Sequence, residues 1–554
     1  MVFDFCIIGA QQDYNERNCS VRMYRENGTM QKKSKVEVET RRQVGRYDAI
    51  VFGASVGGVR AAIGLAKENR KVLLTEETDW IGGQLTAQGV PPDENRFIEE
   101  KGCTESYRFF RKKIRDYYRS LPDVTQEAKA DMFLNPGKAW VCRLSFEPKV
   151  ALRLLEEEMR PYLEGGQIDL RKNTIVLECT AEADLVTGAV IADLRTGSRE
   201  YVTAPYFIDA TDCGDFLPIA GVEYRMGREA GSETGEEGAA ETADEQDMQP
   251  ATWVVALELR EKLAEEDRMK KPAEYDYFSS LGVTYGDDPL FSWYIPTLDG
   301  KGKRKFRMFN EDPEKGLAGL WEYRRVRAKE IFCKPTTEIS LINWPQQDYS
   351  FGNVFGNDLA GYHRHMAKQL ALCLAYWIQN EAPTETGGKG YPVRLSKETF
   401  DTEDGCAKAP YIRESRRIVA LRTVTEGDVS ADKNAGPKFF EDSVGVGHYS
   451  IDFHFTTKSG ETFNRATVPF EIPLSALIPV RVKNVLPGCK NIGVTHITNG
   501  CYRLHPIEWN IGESVGLLVA YCLENGCLPR EVTGKRLREY QGRLKRNGVQ
   551  LHWD

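Results

Sequence analysis

The chain has no pair of cysteines in Cys-x-x-Cys spacing; its thirteen cysteines are scattered, and the closest two are Cys522 and Cys527. That excludes the clustered thiolates of iron–sulfur and zinc sites. Scattered thiols also fit a reducing compartment better than a disulfide framework, so a cytoplasmic protein is expected. A basic surplus is missing too. Lys and Arg number 74 against 82 Asp and Glu, a formal net charge of -8, and no basic stripe is interleaved with aromatics, so nucleic acid is not an expected partner. Long apolar runs are absent: the longest helix-like ones, near 368–378 and 511–523, are too short to span a bilayer. Residues 2–9 are apolar but interrupted by Asp4, with no basic segment before them and no small-residue cleavage site after them. Neither a signal peptide nor a membrane partner is therefore expected. At 554 residues the chain exceeds one core, and two or more packed units are expected.

What is present begins at Tyr47. Residues 48–52 form a short apolar run that reads as a buried strand, followed by Gly53-Ala54-Ser55-Val56-Gly57-Gly58, an Ala-rich helix over roughly 57–69 and a second buried strand over 71–75. Gly53 turns the chain, and Gly58 lets the helix pack closely on the sheet. With Val56 and Gly57 at its start, the helix aims free N–H groups and its positive dipole end at a pyrophosphate. Ser55 stands where the middle glycine of Gly-x-Gly-x-x-Gly belongs; its small side chain leaves room and can itself donate to a phosphate oxygen. Glu76, 23 residues past Gly53 and followed by Glu77, falls where an acid accepts hydrogen bonds from a ribose hydroxyl pair. A glycine-rich turn of an ordinary α/β protein is the bland alternative, but strand, turn, helix, strand and acid all come in order.

After the acid comes Gly82-Gly83-Gln84-Leu85-Thr86, where two adjacent glycines let backbone lie flat against a ligand. With this loop the chain resembles the bacterial FAD-dependent oxidoreductases of the glutathione-reductase-like superfamily, over about residues 46–554. Phe207-Ile208-Asp209-Ala210-Thr211-Asp212-Cys213-Gly214-Asp215 resembles their second flavin motif, with Asp212 where glycine is usual and Asp215 as the implied contact to the FAD ribityl or pyrophosphate. Further family-like blocks are Arg413–Ile418, Asp442–His454, Ile472-Pro473 with Ala476–Pro479, and Gly493–Pro506. The last leads to a helix expected to begin near Asn510, with Gly512, Glu513 and Ser514 at its N-terminus, facing the N1/C2=O edge of the flavin.

The resemblance implies an α/β fold: a Rossmann-like FAD-binding domain, three-layer β/β/α of the glutathione-reductase type, interrupted by a mixed α+β substrate domain. The expected division is a poorly ordered extension 1–45, a discontinuous FAD domain 46–215 plus 441–525, an inserted substrate or cap domain 216–440, and a helical tail 526–554. The stretch 2–10 imitates a first Rossmann strand without the glycines that should follow. Helices are expected at 104–119, 146–163, 357–380 and 535–546, strands at 167–180, 186–194, 200–208 and 252–259, and an exposed acidic loop at 228–248.

The implied activity is hydride transfer between a small organic substrate and N5 of a non-covalently held FAD, with an electron donor or acceptor that the residues do not name. Proton transfer accompanying the hydride needs an acid or base. His454 and His496 are the leading candidates, with His448 and His505 behind them; Arg503 and Arg416 would hold an anionic or carbonyl group or stabilise reduced flavin. For each histidine a structural hydrogen-bonding role is the alternative, and for the arginines a salt bridge to Glu414 and its neighbours. Two other classes of function compete: an electron-transfer subunit resembling the flavoprotein of heterodisulfide reductase, which should carry cysteine clusters, and an NAD-binding dehydrogenase, in which the second motif and the Gly82-Gly83 loop would have no job.

Overall fold

The computed structural model describes residues 43–282, 288–297, 302–309 and 319–553. The Val2–Ala10 segment and most of the expected extension lie outside the described residues. The extension nevertheless ends earlier than expected, because Gln43–Arg46 is already a strand (β1). Strand β2 (Ala49–Phe52), helix α1 (Val56–Lys67) and strand β3 (Val72–Glu76) then form the expected unit. Eleven of the twelve residues of α1 are buried, as a helix apolar on nearly every face requires.

Helices α2 (Glu105–Ser120) and α3 (Pro148–Glu164) follow. The strand expected over 167–180 is two strands, β4 (Ile168–Lys172) and β5 (Thr174–Glu182), in different sheets. Asn173, with φ of 54°, turns the chain between them, a conformation that Asn tolerates better than most residues. After β6 (Leu185–Asp193), the strand expected over 200–208 is likewise divided, into β7 (Arg199–Thr203) and β8 (Tyr206–Asp209). Pro205 stands at the break, where it withholds no ladder hydrogen bond.

The region from 216 to 440 contributes β9 (Val255–Leu259), β10 (Arg325–Arg327), β11 (Ile339–Ile342), helix α4 (Ala360–Asn380) and β12 (Val393–Leu395). Its four strands form one antiparallel sheet in the order β10-β11-β9-β12. The acidic segment 228–248 is only partly the exposed loop expected: Glu233, Glu237, Glu241 and Glu245 are exposed, but Glu229, Glu236 and Asp247 are buried, and Glu229 pairs with Arg417 at 2.9 Å. Charge in sequence marked it as surface; buried partners from distant segments draw it inward.

The remaining elements are β13 (Ser443–Gly447), β14 (Ile451–Phe453), β15 (Phe470–Pro473), β16 (Val485–Pro487), α5 (His496–Tyr502), α6 (His505–Asn525) and α7 (Leu537–Arg546). A five-stranded parallel sheet runs β16-β8-β2-β3-β4. The period-two alternation of its strands decides both layers. Ala49, Val51, Val72 and Leu74 share a core with α1 and α6, while Ile50, Phe52, Leu73 and Phe207 pack on Val186, Ala189, Ile191 and Val202 of the second sheet, β1-β7-β6-β5. The Val, Leu, Ile and Phe side chains among these each contribute about 1.5–3 kcal/mol on full burial. The tail helix α7 buries Leu537, Tyr540 and Leu544, and its Tyr540 hydroxyl donates to the Ser514 carbonyl of α6 at 2.6 Å.

Candidate active site

The nucleotide end is built from the first βαβ unit. Gly53 has φ of 88°, and a Cβ there would collide with the Ala210 backbone, so the turn needs glycine. Ser55 caps α1, accepting from the Gly58 N–H at 3.3 Å. Glu76 at the end of β3 accepts from Ala54 N–H (3.0 Å), Thr78 N–H (2.9 Å) and the Thr78 hydroxyl (2.8 Å). Burial drives its carboxyl up to about 8 against the lowering effect of the Thr78 hydrogen bonds; more donors, such as a ribose diol, would stabilise its anion. Glu77 instead is exposed and faces Arg364 at 3.6 Å. The Gly82 N–H donates to Ala54 O at 2.7 Å, which lays the Gly82-Gly83 loop on the motif turn; Leu85 points into the core.

In the second motif Asp209 does the organising. Its carboxylate accepts from Thr211 N–H and hydroxyl and from the N–H groups of Phe216 and Leu217. Asp215 pairs with Arg416 at 3.0 Å, and Arg416 also donates to the Cys213 carbonyl at 2.8 Å. Arg416 therefore braces this turn. Asp212 pairs with the fully buried Lys490 at 2.8 Å, and Lys490 reaches Glu508 at 3.1 Å. Burial opposes the ammonium, but the two carboxylates overcome it and hold Lys490 well above its ordinary value. Burial pushes Glu508 up to about 7 despite Lys490.

The last helix departs from expectation. It begins at His505, so Gly512, Glu513 and Ser514 lie well inside it rather than at its N-terminus. Their roles are packing: a Cβ on Gly512 would strike the Gly57 backbone of α1, Glu513 accepts from the Ser106 hydroxyl at 2.5 Å, and the Ser514 hydroxyl donates to Val444 O at 2.9 Å. Pro506 occupies the first turn, where its missing N–H costs nothing, and sets the earlier start.

Downstream of the Gly82-Gly83 loop a polar cluster forms. Gln84 donates to the Arg503 carbonyl at 3.1 Å, and the Asp93 N–H donates to His505 Nδ1 at 3.1 Å. That bond places the His505 proton on Nε2, and burial lowers its pKa to about 4, so the ring is neutral. The loop carrying Asp93 is anchored by Arg111 of α2, which pairs with Glu94 at 2.8 Å and Glu99 at 2.7 Å. Arg503 donates to the Tyr411 hydroxyl and pairs with Asp452 at 3.1 Å. His454 bridges two acids, with Nδ1 at 2.6 Å from Asp348 and Nε2 at 3.2 Å from Asp452. Burial and the Arg413 charge lower its pKa, the two carboxylates more than reverse that, and the ring is held above its ordinary value.

The six polar residues expected over the flavin therefore do not gather. Arg503, His505 and His454 share this cluster; Arg416 lies at the second motif. His496 donates through Nδ1 to Glu414 at 2.8 Å, within the buried network that holds Arg417 and Glu229. His448 packs against Phe97, ring centroids 5.4 Å apart. Lys490, Glu508, Asp93, Arg324, Asp348 and Tyr411 were not foreseen. For Lys490 the signal was present, as the lone charge within the otherwise uncharged stretch Val485–Val494.

The site fits a flavin dinucleotide. Glu76 offers a preset ribose acceptor, α1 its N-terminus, and the side-chain oxygens Gln84 Oε1 and Glu508 Oε2 are buried without a hydrogen-bond partner among the described residues. A family model described as FAD dependent oxidoreductase matches residues 48–543. The chain belongs to the FAD-dependent oxidoreductase family. This oxidoreductase uses FAD. Among curated proteins it resembles the soluble pyridine nucleotide transhydrogenase of Marinobacter nauticus, at 27% identity over 158 residues, 28% of this chain and 31% of that protein. It also resembles digeranylgeranylglycerophospholipid reductase 2 of Methanococcoides burtonii, at 29% identity over 189 residues, 34% and 41% of the two chains. The oxidoreductase thus spans less than half the length of either relative. Among solved structures, E. coli quinol fumarate reductase FrdA aligns over 90% of this chain and 74% of its own at 11% identity and a TM-score of 0.33. The myxobacterial halogenase CndH aligns over 40% and 46% at 14% identity and a TM-score of 0.23. No helix among the described residues is long and apolar enough to cross a membrane.

Proposed function

We propose that the enzyme moves a hydride between a small organic substrate and flavin N5, with the substrate seated where the Gln84–Asp93 loop meets Arg324, Tyr411, Tyr449 and Arg503. The observation that carries this reading is the convergence of that loop, the continuation of the FAD motif, on His505 and Arg503 at the start of α6. Bound FAD supplies the two-electron chemistry. The protein supplies position and protons. Arg503 orients the substrate, and His454, protonated on both nitrogens between Asp348 and Asp452, is the proton reserve. His505, neutral and buried, fixes the Asp93 loop. His496, turned to Glu414, is given a structural role.

The layering of a parallel sheet between helices and a second sheet supports the glutathione-reductase type of flavin domain, divided as 46–215 plus 441–525 around the insertion 216–440. The eleven cysteines among the described residues are unpaired, which supports a cytoplasmic enzyme. The test is the absorbance spectrum of the purified protein before and after acid precipitation, followed by anaerobic mixing with hydroxylated and unsaturated metabolites. Flavin bands released by acid as FAD and bleached by one substrate class are expected. A flavin that no metabolite bleaches would argue against hydride transfer at this site.

A further inference from the structure

We infer that the substrate carries a carboxylate, received by the guanidinium groups of Arg324 and Arg503. The inference rests on the hydride-transfer reading and names its substrate class. Four cationic groups meet here, Arg324, Arg413, Arg503 and His454, against three acids, Asp93, Asp348 and Asp452. Arg413 is matched to Asp348 at 2.9 Å and Arg503 to Asp452 at 3.1 Å. His454 has a carboxylate oxygen at each ring nitrogen, at 2.6 and 3.2 Å, an arrangement that favours an N–H on both and so the cationic ring.

Arg324 is the loosely held member. It is buried and stacks over the Tyr323 ring at 5.0 Å, yet its nearest carboxylate is Asp93 at 3.4 Å and its other hydrogen-bond acceptor is the Pro91 carbonyl, also at 3.4 Å. Both are at the outer limit for a hydrogen bond, where a charge-assisted pair normally closes to about 2.7–2.9 Å. A buried guanidinium with stretched partners is a site for a further anion. The groups around it are shared with Arg503. Asp93, Tyr411 and Tyr449 act on both Arg324 and Arg503, and Tyr323 acts on Arg324. Tyr411 accepts from Arg503, which leaves its own proton free to donate.

With His454 protonated, the cluster carries one positive charge in surplus. That matches a carboxylate monoanion, whose planar pair of oxygens also suits a guanidinium fork. Phosphate, at about -1.5 to -2 near neutral pH, would bring an unmatched negative charge into a buried place.

The purified protein is titrated with acetate, lactate and malonate at fixed ionic strength, with acetamide, lactamide and malonamide as neutral counterparts and with inorganic phosphate. Calorimetry and the visible flavin spectrum are both read. The carboxylates are expected to bind saturably and to shift the flavin bands, with the amides at least about tenfold weaker. Arg324→Gln and Arg503→Gln are each expected to weaken binding by about 10- to 100-fold while keeping FAD, and the exposed Arg195→Gln to leave it unchanged. Tyr449→Phe, which removes only a hydroxyl, is expected to weaken binding several-fold and serves if loss of a guanidinium prevents folding. The inference is overturned if no carboxylate binds, if amides or phosphate bind as tightly, or if the variants bind as the native protein does. Calorimetry reads carboxylate binding whether or not FAD is held, so a colourless protein would sink the hydride-transfer reading separately.

Discussion

Glu76 is enclosed by its own neighbours: three donors fix both carboxylate oxygens with no ligand needed to orient them. Pre-orientation of this kind lowers the entropy lost on binding. Glu76→Ala is expected to weaken FAD binding by about 10- to 100-fold, the range for losing hydrogen bonds to a charged group. Fluorescence titration of the apoprotein with FAD measures it, and an unchanged affinity would put the ribose elsewhere. The place of Glu76 at the end of β3 was legible from sequence because its signal is local, a fixed distance from Gly53 along one strand–helix–strand unit. Lys490 and its partners Asp212 and Glu508 were not, since the triad exists only after three distant segments fold together. The histidines were grouped by residue type and block, a criterion blind to which side of a strand each occupies; β14 and its flanks send His454 to Asp348 and leave His448 on Phe97.

Helices and strands were recovered where periodicity was strong, as in α1, α4 and the paired strands β2 and β3. Their ends were misjudged where a single residue reroutes the chain. Asn173 and Pro205 each divide an apparently continuous strand between two sheets, and Pro506 moves the start of α6 forward. Alternation in sequence does not say which sheet a residue joins. The α1–α6 crossing gives the prediction at this scale. Gly512→Ala gains up to about 1 kcal/mol of helix propensity, but its methyl group would meet the Gly57 backbone, which cannot rotate away as a side chain can. Overpacking of this sort costs about 1–3 kcal/mol. A net loss of about 1–2 kcal/mol is expected in urea unfolding; a more stable variant would show that the two helices part freely.

His454 joins Asp348, more than a hundred residues earlier in the chain, to Asp452 beside it. Its pKa in the folded protein is raised above 6.5. The stabilisation is therefore fully present below pH 6.5 and is lost as pH climbs through the folded value. The melting temperature is expected to fall more steeply above pH 6.5 in the native protein than in His454→Gln. Glu508, raised from 4.5 to about 7, adds a decline between those two values which both proteins share, so the difference between the two curves isolates His454. Parallel curves would remove the clasp. At this scale the resemblance conveyed a flavin fold, while the buried side of the acidic segment 228–248 stayed hidden, because the counter-ion of Glu229 is the distant Arg417.

The strand order has a further consequence, for synthesis. β16 closes the parallel sheet beside β8, and α6 covers α1, so the first strand–helix–strand unit has its strand neighbours β4 and β8 early but receives its covering helix only when nearly the whole chain has been made. At about 5–20 residues per second the ribosome leaves an almost wholly apolar α1 uncovered for tens of seconds. Until then the nascent chain has an incomplete first core, and the cell must shield that helix before the enzyme's own C-terminal third can.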